Sequence, residues 1–458
     1  MQRRRAVGLG VLVAFAVGAL AFIGRGPRAT PPSPPPQATK SQPRNVLIIA
    51  PDTLRADRLS AMRDGRAVAP SMRSLATTGT TFSQMYSQAG WTLPALGSLL
   101  TGRYTLVPEL AHQNSIDFLP IGARTLPTIF RAAGYRTAVF WGSSLSGLAA
   151  EFSTGFDHVA TSDVGSEPAA AGAWIASTPG VPWFALIHDQ DLQFVHAPPT
   201  AGGPAQWEGA RPLDQAMRGV RGALPPDAAA EFARAAYDVE VSAFDTKIGS
   251  MLTDLRGTGN LTNTIVLLTS NHGIELGEHG GFEHGIPFDS NLHVPLVIVD
   301  PTHPAAAADV GTIVQTVDIA PTLLDLAGLA AEPGMVGQSL RPLLPNSSGT
   351  YTERPVFSVY TPGLISARTP SQKLVRREEQ GRNTVYELYD LILDPAETSP
   401  RHLRPDAPDA RALVTGLEDW WKARHAETDA DHASQSTGEK LRKAMQEHGY
   451  WDADPKSR

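Results

Sequence analysis

Cysteine is absent from this chain of 458 residues, and positively charged side chains do not outnumber negatively charged ones. Without cysteine, the protein can form no disulfide bond, thiolate metal site, thiol nucleophile or lipid attachment at an N-terminal cysteine. The 39 lysine and arginine residues against 46 aspartate and glutamate residues leave a formal net charge of -7. This balance provides no basic surface for duplex nucleic acid, so we expect no nucleic-acid partner. The length suffices for one large domain or two moderate ones.

The N-terminal segment combines a basic start, MQRRR, with the apolar run Ala6–Ile23. Ala19-Leu20-Ala21 has the small-x-small form of a signal-peptidase site, whereas a run of about 18 residues is also long enough to span a bilayer. A cleaved signal peptide and an uncleaved membrane anchor are both consistent with this segment. In either case the three arginines stay inside and the bulk of the chain is exported. We therefore expect a periplasmic or extracytoplasmic protein, soluble after cleavage or anchored in the inner membrane.

Apolar, β-branched runs indicate strands that are buried on both faces of a parallel sheet. They comprise Asn45–Ala50, Trp183–Ile187 and Thr264–Thr269, and they alternate with helical stretches such as Ala228–Leu255. This alternation predicts an α/β fold with a central, mostly parallel sheet. After Tyr351, short alternating strands and a final helix predict a small antiparallel α+β subdomain. The predicted parts are a signal peptide or anchor (1–23), a Pro-rich linker (24–43), an α/β domain (44–350), a C-terminal subdomain (351–425) and a charged, loosely ordered tail (426–458).

Two polar residues stand where such a fold places functional groups. Asp52 follows the first predicted strand, where a carboxylate can bind a hard divalent cation or can serve as a helix N-cap. Thr92 precedes Pro94 and a predicted helix, whose first backbone N–H groups would face a bound anion. A cation on the Thr92 hydroxyl would lower its pKa and create a nucleophile. The alternative is that Thr92 only caps the helix.

The segments NVLIIAPDTLRADRL (45–59) and WTLPALGSLLTGR (91–103) carry a specific pattern. Together they resemble the nucleophile region of sulfatases, which are metal-dependent hydrolases of the alkaline phosphatase superfamily. That family reads Cys or Ser, x, Pro, Ser, Arg, x, Ser-Leu-Leu-Thr-Gly, and its first residue matures to a formylglycine nucleophile. Here Thr92 occupies the nucleophile position and Leu96 the Arg position. Threonine cannot be converted to formylglycine, so the resemblance extends to the family's fold and order of motifs but not to its reactive group.

The segment LLTSNHGIELGEHGGFEHG (267–285) is similar to the family's TSDHGE-x-LGEHG segment, which brings an Asp-His pair to the metal. Asn271 takes the place of that Asp, and His272 is kept. An amide oxygen can still bind a hard ion, but it brings no charge. His284 matches the position at which relatives place a Lys or His against the anion. The resemblance thus implies one divalent cation (Ca, Mg or Mn) held by Asp52, Thr92, Asn271 and His272.

The segment FALIHDQDLQFVHAPP (184–199) resembles the family's H-x-x-DPH-x-PY-x-PP segment. Gln193 replaces its anion-binding His, and His196 replaces its Tyr. Gln193 either still forms hydrogen bonds to the ester oxygens or no longer binds an anion. His188 and Asp189 fit a structural role as well as a functional one. Because ELYDLILDPAETSP (387–400) also resembles the family's C-terminal subdomain, the resemblance covers residues 44–425 and implies an alkaline-phosphatase-like three-layer domain.

Two functions are consistent with these residues. The first is an exported, metal-dependent hydrolase or phosphotransferase of sulfate or phosphate esters, with Thr92 as nucleophile and with His284 and Gln193 at the ester oxygens. Its substrate would be a small-molecule, glycan-linked or lipid-linked ester. The second is a protein of the same fold that has lost activity and has a binding or structural role in the envelope. Leu96, Gln193 and Asn271 favour the second function, because each weakens anion or metal binding.

Overall fold

The computed structural model describes most of the chain between residues 43 and 431. The described residues are 43–105, 123–142, 152–162, 165–190, 192, 226–282, 284–303, 307–361, 363–379, 383–404, 407–408 and 410–431. The predicted signal peptide or anchor, nearly all of the predicted linker and the end of the predicted tail lie outside them. Within the described residues, no helix has the length and apolar character needed to cross a membrane.

The strands and helices alternate over the first two thirds of the described residues, as the sequence predicts. The strands are β1 (Asn45–Ile49), β2 (Met62–Arg63), β3 (Arg66–Ala67), β4 (Thr80–Phe82), β5 (Met85–Tyr86), β6 (Arg136–Gly142), β7 (His158–Ser162), β8 (Trp183–His188), β9 (Thr264–Leu268), β10 (Val297–Val299), β11 (Ala308–Val310), β12 (Val314–Gln315), β13 (Val356–Thr361), β14 (Leu364–Arg368), β15 (Gln372–Glu379), β16 (Asn383–Asp390) and β17 (Arg401–Leu403). The α-helices are α1 (Pro70–Thr78), α2 (Thr92–Thr101), α3 (Leu126–Ala132), α4 (Glu167–Ala176), α5 (Pro226–Gly257), α6 (Asp289–Leu292), α7 (Ile319–Ala327) and α8 (Arg411–Asp431).

The main sheet is centred on β1, and its strand order is β11-β4-β10-β9-β1-β8-β6-β7. β1 pairs in parallel with β8 and with β9, so that Val46 lies opposite Phe184 on one side and Ile265 on the other. Because these three strands run in the same direction, their carboxyl ends meet at one edge of the sheet. β10 is antiparallel to both of its neighbours, which makes the sheet mostly rather than wholly parallel. The predicted sheet and the adjacency of its three buried strands are confirmed.

Helices cover both faces of the main sheet because successive side chains of each strand point to opposite sides. Val46 and Ile48 of β1 belong to an apolar core that α2, α3 and α7 complete. Leu47 and Ile49 belong to a second core, which α1, α4 and α5 complete. All four β1 side chains are buried, and this explains why the strand reads as a continuous apolar run. The predicted three-layer α/β arrangement is confirmed.

A second sheet, formed by β13 to β17 in sequential order, is antiparallel throughout. Helix α8 packs on it, with Val414 and Leu417 in one core with Ile365. The predicted antiparallel C-terminal sheet with its final helix is confirmed. The sequence did not indicate β14 and β17. The final helix runs to Asp431, beyond residue 425, where the predicted C-terminal subdomain ends.

The C-terminal sheet contacts the chain segment that precedes Thr92. The Val359 N–H of β13 donates a hydrogen bond to Gln88 O at 2.9 Å, and Ser358 Oγ donates to Ser87 O at 2.7 Å. The first strand of the C-terminal sheet therefore helps to hold the backbone that leads into α2.

A buried ion cluster joins the same sheet to the segment around α6. Lys373 of β15 is fully buried and lies 2.5 Å from the carboxylates of both Asp289 and Glu397. Arg368 of β14 lies 3.1 Å from Asp289 and stacks over the Tyr86 ring. Two cations and two carboxylates thus compensate one another at the junction of the two sheets.

Candidate active site

The carboxyl ends of β1, β8 and β9 bring three polar segments together. Asp52 follows β1, His188 ends β8, and Asn271 and His272 follow β9. The Asp52 N–H donates a hydrogen bond to Asp189 O at 2.7 Å, which extends the pairing of β1 and β8 past the strand ends. All of these side chains are buried. The edge of the sheet therefore ends in a buried polar cluster.

Thr92 lies in the first turn of α2, and its hydroxyl points at Asp52 rather than at the helix backbone. Thr92 Oγ1 donates to Asp52 Oδ2 at 3.2 Å and lies 3.3 Å from His272 Nε2. His272 Nε2 in turn lies 3.3 Å from Asp52 Oδ1. The helix begins one residue after its N-cap Trp91, and no side chain caps it. The structure thus brings Asp52, Thr92 and His272 into mutual contact.

Asn271 joins this group through its amide nitrogen. Its Nδ2 donates to Asp52 Oδ1 at 2.7 Å. Its Oδ1 accepts from the N–H groups of His272 at 2.8 Å and Thr53 at 3.3 Å. Because both backbone groups are donors, the amide oxygen has to face them, and the nitrogen is left to face the carboxylate. Asn271 therefore offers Asp52 a hydrogen-bond donor.

The backbone immediately after Asp52 is strained. Thr53 has a φ of 57°, a left-handed conformation that β-branched residues rarely adopt. Its carbonyl accepts from Tyr237 Oη at 2.6 Å, and the next N–H, that of Leu54, donates to Ser270 Oγ at 2.9 Å. These contacts hold the turn that aims Asp52 into the site. Sequence reasoning missed Tyr237 and Ser270, because a single hydroxyl on a helix or after a strand carries no pattern of its own.

Burial and neighbouring groups set the charge of the site. Burial opposes ionisation of Asp52, but the imidazoles of His272 and His188 and the Asn271 amide lower its pKa below the usual value. Burial lowers the pKa of His272 to about 4, although Asp52 acts in the opposite direction. Burial also lowers the pKa of His188. At neutral pH the site therefore contains one carboxylate and two neutral imidazoles.

The other positions that the sequence analysis singled out are His284, Gln193 and Leu96, and they do not all lie beside the cluster. The ring of His284 contacts that of His272 edge-on, with centroids 4.9 Å apart, so His284 adjoins the cluster. Gln193 lies outside the described residues. Leu96, at the family's Arg position, is 1% exposed and belongs to the apolar core that α2 helps to form. The arginine position is thus filled by a core side chain.

The donor atoms around Asp52 fit a divalent cation in part. Ligands that share one ion at about 2.0–2.2 Å lie about 3 Å or more apart, and the atoms of Asp52, Thr92 and His272 are separated by 3.2 and 3.3 Å. The Asn271 oxygen faces the backbone instead. In the part of the chain that the structure describes, no group of three or more histidine and acidic side chains is arranged to hold a metal ion as it stands. A cation here therefore needs the Thr92 hydroxyl, or a shift of another side chain.

Comparison with protein families identifies the chain. The sequence profile of the sulfatase family matches residues 44–174 and 171–329. The profile of the N-sulphoglucosamine sulphohydrolase C-terminal region matches residues 277–413. The chain belongs to the sulfatase family.

Curated relatives are similar over part of the chain. The N-acetylglucosamine-6-O-sulfatase of Bacteroides thetaiotaomicron is 39% identical over 114 residues, which cover 25% of this chain and 20% of that protein. The choline-sulfatase of Rhizobium meliloti is 30% identical over 237 residues, which cover 48% of this chain and 44% of that protein. The matched stretch thus spans less than half the length of each of these relatives.

Solved structures match over nearly their whole length. The phosphonate monoester hydrolase of Agrobacterium radiobacter superimposes with a TM-score of 0.62 and 21% identity, over 84% of this chain and 96% of that one. A 2-O GAG sulfatase superimposes with a TM-score of 0.65 and 21% identity, over 86% and 95% of the two chains. These similarities show the alkaline-phosphatase-like sulfatase fold.

Proposed function

We propose that this protein hydrolyses sulfate or phosphate esters with Thr92 as its nucleophile. The observation that carries the proposal is the position of Thr92 Oγ1, 3.2 Å from Asp52 Oδ2 and 3.3 Å from His272 Nε2. Relatives named N-acetylglucosamine-6-O-sulfatase and choline-sulfatase, and a structural neighbour named phosphonate monoester hydrolase, support this class of reaction. A small-molecule, glycan-linked or lipid-linked ester is the proposed substrate.

In the proposed reaction, Thr92 Oγ1 attacks the sulfur or phosphorus atom, and the bond to the leaving oxygen breaks. Water then hydrolyses the covalent Thr92 ester and restores the hydroxyl. Asp52 orients the hydroxyl by accepting its hydrogen bond. The hydroxyl proton ends on the leaving alcohol, and we assign its transfer to His284, which adjoins the cluster beside His272.

Metal dependence is part of the proposal. A divalent cation held by Asp52, Thr92 and His272 would lower the pKa of the Thr92 hydroxyl and neutralise the ester oxygens. Ca, Mg and Mn are the ions that the family resemblance implies. Asn271 can serve as a further ligand only if its oxygen exchanges places with the nitrogen that now faces Asp52.

Export is also proposed, from the basic and apolar residues at the N-terminus. Fractionation of cells that express the full chain should find it in the periplasm or in the membrane fraction. Mass spectrometry of its N-terminus distinguishes a cleaved signal peptide from an anchor. Recovery of the intact chain from the cytoplasm would contradict both.

A second function is favoured by one observation, the direct hydrogen bond from Asn271 Nδ2 to Asp52 Oδ1. An amide that satisfies the carboxylate makes a cation less necessary at Asp52. Together with the core side chain Leu96, this contact suits a sulfatase-fold protein that binds an ester group in the envelope without turning it over.

The two functions are separated by assays of the purified full chain with p-nitrophenyl sulfate, p-nitrophenyl phosphate and a phosphate diester. The variants are Thr92→Ala, Thr92→Ser and, as a control, Thr178→Ala, which removes a buried hydroxyl that bonds Trp174 O at the end of α4. If Thr92 is the nucleophile, Thr92→Ala abolishes turnover, Thr92→Ser retains part of it and the control is unchanged. Equal activity in wild type and Thr92→Ala would disprove the nucleophile assignment, and binding without turnover in wild type would support the second function.

A further inference from the structure

One ring nitrogen of His188 has no hydrogen-bond partner among the described residues. The side chain is fully buried at the end of β8, and its Nδ1 lies 2.7 Å from Ala50 O. A carbonyl oxygen only accepts, so Nδ1 carries the hydrogen and Nε2 carries a lone pair. Among the described residues, Nε2 has no hydrogen-bond partner. It lies 4.0 Å from Asp52 Oδ2.

His272 is held in the same tautomer on the other side of the carboxylate. Its Nδ1 lies 2.8 Å from Gly273 O, so its Nε2 also presents a lone pair, 3.3 Å from Asp52 Oδ1. Two nitrogen lone pairs thus flank the two oxygens of one ionised carboxylate. Such atoms repel one another unless a proton or a metal cation lies between them, and a backbone carbonyl that fixes the outer nitrogen is the usual support of a metal-binding histidine.

We propose that His188 is a ligand of the cation in this site, so that the ion is held by Asp52, His188, His272 and the Thr92 hydroxyl. This inference rests on the metal dependence in the proposed function and adds a residue and a metal class to it. Two imidazoles, one carboxylate and one hydroxyl suit Zn²⁺ or a neighbouring first-row transition metal. They suit Ca²⁺ poorly, since Ca²⁺ takes six to eight oxygen ligands.

Each of the other three donors lies within 4.0 Å of an Asp52 oxygen, and the set has to rearrange before it can enclose an ion. Donors bonded to one tetrahedral ion at about 2.1 Å lie about 3.4 Å apart. The separations of 3.2 and 3.3 Å from Asp52 to Thr92 and to His272 are close to this spacing, whereas His188 Nε2, at 4.0 Å, has to move toward the carboxylate. Because the histidine and acidic side chains do not enclose an ion as they stand, the Asp52 carboxylate has to turn from the Asn271 amide toward the imidazoles.

The test is calorimetric titration of the full chain, free of any histidine tag, with Zn²⁺ and separately with Ca²⁺. The variant His188→Asn keeps a side-chain N–H near the position of Nδ1, which can still donate to Ala50 O, and removes only Nε2. The control His303→Asn removes a histidine that pairs with Asp300 away from the site. We expect one Zn²⁺ per chain, bound more tightly than Ca²⁺. The affinity should fall by roughly 100-fold in His188→Asn and stay unchanged in the control.

Zn²⁺ affinity that is the same in His188→Asn and wild type would overturn the assignment of His188, as would tighter binding of Ca²⁺ than of Zn²⁺. Thermal unfolding in the presence of a chelator checks that His188→Asn is folded. If that variant does not fold, His188→Gln, which retains a polar atom near Nε2, replaces it and should bind Zn²⁺ at least tenfold more weakly than wild type. Binding is measured without substrate, so failure of this inference is distinguishable from failure of the proposed hydrolysis.

Discussion

Asn271 Nδ2 donates a hydrogen bond to Asp52 Oδ1 at 2.7 Å, in a pair of side chains that are both fully buried. The sulfatase pattern has an Asp at the position of Asn271, so two carboxylates would face each other there. Like charges at that distance repel each other, and either a cation between them or a proton on one of them relieves the repulsion. The asparagine removes the repulsion and replaces it with a direct contact. This site can therefore remain folded at neutral pH whether or not it binds a metal.

Replacing Asn271 by Asp should make the fold depend on divalent cations. The substitution puts a second carboxylate beside Asp52 and removes the donor that now satisfies it. We expect the melting temperature to fall by several degrees in the presence of a chelator and to recover when Zn²⁺ or Mn²⁺ is added, as measured by thermal unfolding. Asn45→Asp, at the opposite end of β1, serves as the control and should show no recovery. A variant that is equally stable with and without cations would show that Asp52 and residue 271 do not share an ion.

Replacing Leu96 by Arg should destabilise the protein rather than restore an anion site. Leu96 is 1% exposed and surrounded by the core of α2, α3 and α7. A guanidinium there has to be buried without a described partner, at a cost of roughly 4 kcal/mol. Urea unfolding measures the loss, and Leu96→Met gives the volume-conserving control with a cost of about 1 kcal/mol. Near-normal stability of Leu96→Arg, with tighter sulfate binding, would reveal an anion pocket that this packing does not suggest.

Asp289 should contribute stability that depends on pH. Burial alone would raise the pKa of Asp289, but the charges of Lys373 and Arg368 outweigh it and hold that pKa at about 2. The ionised carboxylate thus stabilises the fold fully above its unfolded pKa of about 4, and this contribution is lost as the pH falls toward 2. At pH 7, Asp289→Asn should cost about 3 kcal/mol.

Urea unfolding measured over a range of pH values distinguishes this buried ion cluster from an exposed ion pair. In urea unfolding, the difference between wild type and Asp289→Asn should shrink as the pH falls below about 4. The control Asp325→Asn changes a carboxylate that is 36% exposed and paired with the exposed Arg341, and it should cost less than about 1 kcal/mol. A constant difference for Asp289→Asn across the series would mean that its effect is not electrostatic.

Removing the Tyr237 hydroxyl should loosen the turn after Asp52. Tyr237→Phe deletes the donor to Thr53 O at 2.6 Å and the acceptor for the Arg55 N–H at 3.1 Å. Two buried backbone groups lose their partners, which should cost about 1–3 kcal/mol in the free energy of unfolding. Zn²⁺ affinity should fall in parallel. The strained Thr53 is then free to relax, and the Asp52 carboxylate is no longer held in the orientation that faces the site. Unchanged metal affinity in a destabilised variant would limit Tyr237 to a structural role.

The strand ends could be predicted from the sequence, whereas the contacts made there could not. Asn45–Ile49 and Thr264–Leu268 are apolar after their first residues. Their burial, their parallel pairing and the nearness of Asp52 to His272 therefore follow from composition. The side of Asn271 that faces Asp52 depends on two backbone N–H groups that donate to its Oδ1. One belongs to the adjacent His272, and the other belongs to Thr53, which is 218 positions away in the sequence. No spacing in the sequence specifies that choice.

His188 is a second residue whose contacts could not be predicted from the sequence. The sequence places it at the end of a buried strand, where a structural and a functional role are equally consistent. Its tautomer is fixed by Ala50 O, and this carbonyl is brought to it only by the register of β1 against β8. The start of α2 at Thr92, before Pro94, also depends on tertiary packing, since every residue of that helix is buried. Such features arise from three-dimensional contacts and not from local pattern.

The hydrogen bond from Ser358 to Ser87 joins residues that are 271 positions apart. During synthesis, the backbone that leads into Thr92 has to wait for the first strand of the C-terminal sheet to leave the ribosome before it gains this partner. Contacts of such long range slow folding, because the intervening chain has to be ordered first. The segment around Thr92 is consequently among the last parts to be completed, and a chain truncated before β13 should lack this support for the start of α2.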